Sequence, residues 1–127
     1  MNPSPIRVGA VQTRILRVLW RDGQATARTI TEELSKSKPI AHSTVQTLLR
    51  KLEAKGAVAH SVKGRTFFFH PLVKESEVIE SATKDLLSRL FGGSAFSLAA
   101  HLVKSEPISH EQLDGLRKLI DEVEKKQ

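Results

Sequence analysis

Between Ser43 and Leu52 the chain reads Ser-Thr-Val-Gln-Thr-Leu-Leu-Arg-Lys-Leu, which combines small hydroxyls, one amide and two cations and contains no acidic residue. At helical spacing Val45, Leu48, Leu49 and Leu52 fall together at i, i+3, i+4 and i+7. Ser43, Gln46, Thr47, Arg50 and Ala54 then face the other way, flanked by Thr44 and Lys51. These are the side chains that hydrogen-bond base edges and phosphates in a major groove, and an acid among them would repel phosphate. A helix face that only meets water more usually carries Glu/Lys pairs at i, i+4. Gln46 can bond adenine N6 and N7 together and a threonine methyl can pack on thymine, so A/T-containing half-sites are the expected targets. Thr44, near the helix start, could instead hold phosphate. A second candidate is the Lys63-Gly64 turn with Arg65, a tight basic hairpin that could follow the backbone beside the groove. Arg65, read as opening a strand, could equally pair within the domain.

Other chemistry finds little support. With no cysteine there is no disulfide framework, thiolate metal site or thiol nucleophile. His42, His60, His70, His101 and His110 show neither H-x-x-x-H nor H-E-x-x-H spacing, so no metal is expected. Gly92-Gly93-Ser94 lacks the Walker lysine and reads as a helix boundary. The serines have no histidine and carboxylate in a recognisable motif, so no catalytic residue and no cofactor is expected.

The elements that must hold these groups fit one modest domain or two very small ones in 127 residues. Residues 1–74 carry 13 Lys/Arg against 4 Asp/Glu, and residues 75–127 carry 7 against 10. The basic part suits a polyanion and the mildly acidic part another task. Apolar periodicity predicts a helix from about Ala10 to Arg21, and a second that Thr26 caps and Ile30 and Leu34 anchor. The third runs from Ala41 or Ser43 to Lys55 and stops at Gly56. Val58–Val62 and Arg65–His70 alternate as a β-hairpin, and Trp20 is expected in the core beneath it. Beyond Pro71 three helices follow. Their stripes include Leu86 and Leu90, then Leu98 and Leu102, then Leu113, Leu116, Ile120 and Val123 behind a Ser109/Gln112 capping box. The expected fold is α+β, mainly α: a winged helix-turn-helix DNA-binding domain over residues 1–71 and a three-helix dimerisation region over 72–127. Three helices of that size bury too little alone, so those stripes are the expected dimer contacts. No apolar run is long enough to span a bilayer, and Met1-Asn2-Pro3-Ser4-Pro5 has no signal core, so no membrane contact and a cytoplasmic location are expected.

Val18-Leu19-Trp20, Gly23, Ala25-Thr26, the run Ser43–Gly56 with its T-V-x-T-L-L-x-x-L-x-x-K-G pattern, and Gly64-Arg65 together resemble the penicillinase-repressor (BlaI/MecI-like) family over nearly the whole chain. The resemblance implies a homodimeric transcriptional repressor on inverted-repeat operator DNA. It also implies DNA contacts at Ser43, Thr44, Gln46, Thr47 and Lys51, and a sensor protease or other inducing partner. In antibiotic-responsive members an Asn-Phe bond in the penultimate helix is cut during induction; aligned from Ser109, this chain has His101-Leu102 there. Copper-responsive relatives end in Cys-x-Cys pairs, which this chain lacks. Thr13 and His42 also depart from the residues common in the family. Read without the resemblance, the same elements allow a winged-helix module that makes protein or RNA contacts without reading duplex sequence, or a regulator gated by a small molecule.

Overall fold

Alternating capped helices and one hairpin account for the chain in the computed structural model, which describes residues 7–127. The opening five residues read above for a signal core lie outside the described residues. In order the elements are α1 (Ala10–Asp22), α2 (Ala27–Ser35), α3 (His42–Ala54), β1 (Val58–Lys63), β2 (Thr66–Pro71), α4 (Glu75–Leu90), α5 (Ala95–Ser105) and α6 (His110–Lys125). One compact unit ends at Lys84 and the other runs Asp85–Gln127.

In the first unit α1 starts where Gln12 Oε1 accepts the Gly9 N–H at 2.9 Å. Buried Gln12 also accepts from Lys55 Nζ at 3.4 Å, so it enters the interior with partners. Thr26 caps α2 by accepting from the Thr29 N–H. The end of α3 is a Schellman motif: Gly56, at φ 79°, donates to Glu53 O while Ala57 donates to Leu52 O. That turn delivers Ala57 and Val58 straight into the core. Ile15, Leu16, Leu19, Ile30, Val45, Leu49 and Leu52 are removed from water completely. Arg21 reaches from α1 to Glu33 on α2, and its bond to Asp22 holds that carboxyl below the usual carboxylate range. Glu33 is lowered likewise, by Lys36 first and then Arg21.

β1 and β2 pair antiparallel from Val58 opposite Pro71 to Lys63 opposite Thr66. The two-residue turn is therefore Gly64-Arg65, one position later than the expected Lys63-Gly64, and Arg65 sits in the turn instead of opening the strand. Gly64 decides the register: its φ of 66° suits the first central position of a type II′ turn, where glycine is favoured. The hairpin is also tied to the helices at a point the sequence did not reveal. Ala25, between α1 and α2, exchanges both backbone hydrogen bonds with Phe69, at 3.0 and 2.8 Å. Trp20 is half-buried, and its indole N–H donates to the Val73 carbonyl at 2.8 Å, just past β2. Val73 and Val78 are buried in the same core, so the start of α4 belongs with the first unit.

In the second unit Ser94 caps α5, and Ser109 and Gln112 form the expected reciprocal capping box of α6. Gly92 and Gly93, both at positive φ, end α4, and Gly93 donates to Leu87 O. No residue of α5 or α6 is buried. His101 and Leu102 are both exposed on α5, and the His101 ring lies 5.9 Å from that of Phe91.

Replacing Leu49 with Ala should cost about 2–5 kcal/mol, the usual range for emptying a filled core site. Urea unfolding followed by the fluorescence of Trp20, the one tryptophan of the chain, measures it. An unshifted midpoint would mean that α3 is not seated on this core.

Candidate nucleic-acid interface

The inward stripe of α3 fixes its outward face. With Val45, Leu49 and Leu52 inside, Ser43, Thr44, Gln46, Thr47, Arg50 and Lys51 are all exposed. The Thr47 hydroxyl donates to Ser43 O at 3.0 Å and accepts from Arg50 Nη2 at 3.3 Å. Polar side chains on this face are thus partly ordered before any ligand arrives. Ala41, at the N-cap, gives no side-chain cap, and the first turn contains no acid. The positive end of α3 is left open to an anion.

Beside α3, the hairpin presents Lys63, Gly64 and Arg65, all exposed. Lys63 Nζ lies 5.2 Å from the centre of the Phe68 ring. Neither Lys63 nor Arg65 enters an ion pair among the described residues, so the alternative of Arg65 pairing within the domain is not what the structure contains. The base of the hairpin is coupled to the end of α3: His60 Nδ1 meets Glu53 Oε1, and the His60 ring stacks on Phe67 at 4.3 Å and 8°. Glu53 and His60 stand seven residues apart on different elements, and no local spacing rule joins them.

Between α2, α3 and the turn lies an open groove of about 540 Å³, with Arg28, Gln46, Arg50 and Arg65 around it and Phe67 and Phe69 at its base. The structure therefore brings together Gln46, Arg50 and Arg65 of the expected contacts. Ser43, Thr44, Thr47, Lys51 and Lys63 are exposed but do not line that groove. Arg28 was missed by the sequence reading; its only signal is a place on the side of α2 away from Ile30 and Leu34, with Glu32 one turn on. Among the described residues no three His, Asp or Glu side chains converge as metal ligands. A convergent set of guanidinium, amide and hydroxyl groups without a nucleophile–base pair can bind and orient a polyanion, and has no evident means to cleave one.

The penicillinase repressor family profile matches residues 8–122. The chain is 27% identical over 116 residues to the penicillinase repressor of Bacillus licheniformis, covering 91% of each protein. It is 23% identical over 121 residues to the methicillin resistance regulatory protein MecI of Staphylococcus aureus (strain N315), covering 95% of this chain and 98% of that one. Among solved structures it is similar to the DNA-binding domain of the repressor BlaI, with a TM-score of 0.52 and 30% identity over 61% of this chain and 93% of that one. Monomeric B. licheniformis BlaI in complex with the blaP half-operator is similar too, with a TM-score of 0.50 and 28% identity over 58% of this chain and 90% of that one.

A Cβ on Gly64 would meet nothing within 4 Å, so Gly64→Ala tests backbone conformation alone. It should lower the stability of the first unit by about 1–2 kcal/mol, the cost of a left-handed L-residue. Urea unfolding measures it, and an unchanged stability would mean that Gly64 is not held at positive φ.

Proposed function

The chain belongs to the penicillinase repressor family and is a DNA-binding transcriptional repressor, and from that premise we propose that it holds an inverted-repeat operator as a homodimer, one α3 in the major groove of each half-site. Members of this family are regulators and not enzymes. The observation that carries the reading is the exposed face of α3, free of acids from Ser43 to Leu52, beside a turn whose two cations have no ion-pair partner among the described residues. Gln46 and Thr47 read base edges. Ser43 and Thr44 at the helix start, Arg50 and Lys51 along its side, and Lys63 and Arg65 on the wing hold phosphate and set the register. The half-sites lie about one helical turn apart or a multiple of it.

Self-association is the work of residues 72–127. Leu90, Leu102, Leu116, Ile120 and Val123 are exposed in the single chain, Ile120 by 56% and Leu90 by 67%. Leu86, Leu98 and Leu113 are only half-buried. Helices this short cannot bury such stripes among themselves, and a second copy supplies the missing area. The mild negative charge of residues 75–127 favours contact with protein over contact with phosphate. No single helix among the described residues is long and apolar enough to cross a membrane, and a repressor on duplex DNA works in the cytoplasm.

Gln46→Ala and Thr47→Ala should each cost about 1–3 kcal/mol on the cognate site, identified by footprinting the promoter nearest the gene, and little on scrambled duplex. Titrations at one fixed salt concentration measure both; equal losses on the two DNAs would mean that α3 holds backbone only. The double variant Leu116→Asp with Ile120→Asp should sediment as a monomer at micromolar concentration. A dimer undisturbed by two introduced charges would place the interface elsewhere.

A further inference from the structure

We propose that Arg28, on α2, is a phosphate contact of the operator complex, acting with Arg50 and Arg65 along the groove that flanks Gln46. The inference rests on the DNA-binding reading above and adds an element to it. Three guanidinium groups, from α2, α3 and the wing turn, line this one groove, and no carboxylate does. Like charges gathered in this way repel one another unless an anion comes between them. Among the described residues Arg28 is held only by Glu32 one turn on, at 3.4 Å, with the two side chains 86% and 68% exposed. A pair so open to water is weak, whereas a phosphodiester offers the guanidinium a charge-assisted, bidentate partner. Ala27, Phe67 and Phe69 give the groove an apolar base that suits sugar carbons. Because Gln46 lines the same groove, a strand whose base it reads carries its own backbone past Arg28. The contact adds affinity on any duplex and no sequence choice.

The test is the salt dependence of binding by the full-length protein to cognate and scrambled duplexes. Arg28→Gln should reduce the slope of log affinity against log salt by about 0.9 on both DNAs. Its affinity deficit should accordingly shrink about 3.5-fold between about 50 and about 200 mM salt. Arg28→Lys should restore the slope. Arg17→Gln removes the same charge from a different groove, lined with Arg14, Arg21 and Glu33, and should leave the slope unchanged. An unaltered slope in Arg28→Gln, with Gln46→Ala still losing cognate affinity, would overturn the contact and leave the DNA reading intact. A loss confined to cognate DNA would overturn it as well, since that is the mark of base readout. An equal fall in slope with Arg17→Gln would reduce the effect to net charge and overturn it too. If the unmodified protein binds no duplex, this inference and the reading beneath it fall together.

Discussion

Val45, Leu49 and Leu52 lose all their exposure in the same core as Ile15, Leu19 and Ile30, and the direction of every group that α3 presents to solvent depends on that burial. Each such side chain is worth about 1.5–3 kcal/mol when taken out of water. A helix advances about 100° per residue, so rotating α3 by one position would expose that stripe and turn polar side chains inward. The Schellman turn at Gly56 then fixes where that helix ends, and the Thr26 cap fixes where α2 begins.

Electrostatics distributes the remaining work. Acids are few in residues 1–74, and two of the four, Asp22 and Glu33, are engaged by Arg21. Glu53 is turned to His60, leaving Glu32 as the acid beside the groove. Clustered cations on one surface repel and so reduce stability, a burden that the apolar core beneath them offsets. The second unit reverses both conditions, with acids in excess and apolar side chains left at the surface.

Local rules made most of this visible in advance. Periodicity places the helices, glycines and capping residues end them, and the outward face of α3 follows from which of its residues must be inside. What escaped was non-local or decided by a single torsion. Lys63-Gly64 and Gly64-Arg65 are both possible two-residue turns, and only the position of the left-handed glycine distinguishes them. The Ala25–Phe69 bridge joins segments more than forty residues apart, with no pattern to announce it. Nothing marked Arg28 in the sequence, because a one-dimensional reading cannot see that α2 and the wing border one groove. The apolar stripe of α4 reads as continuous, yet only Val78 on that helix is buried, since the residues near Leu90 find no cover within the chain.

The Ala25–Phe69 bridge, the Trp20–Val73 hydrogen bond and the Glu53–His60 pair bind the wing, α3 and the supporting helices at three separate points. A surface braced in this way loses little conformational entropy on docking and has little freedom to remodel itself around an imperfect partner. Adjustment therefore falls to the nucleic acid. Duplexes differ in how readily their steps roll, twist and narrow, so a stiff protein discriminates among them by mechanical compliance as well as by chemistry. Base pairs that no side chain touches then contribute to recognition through the energy needed to bend them into place.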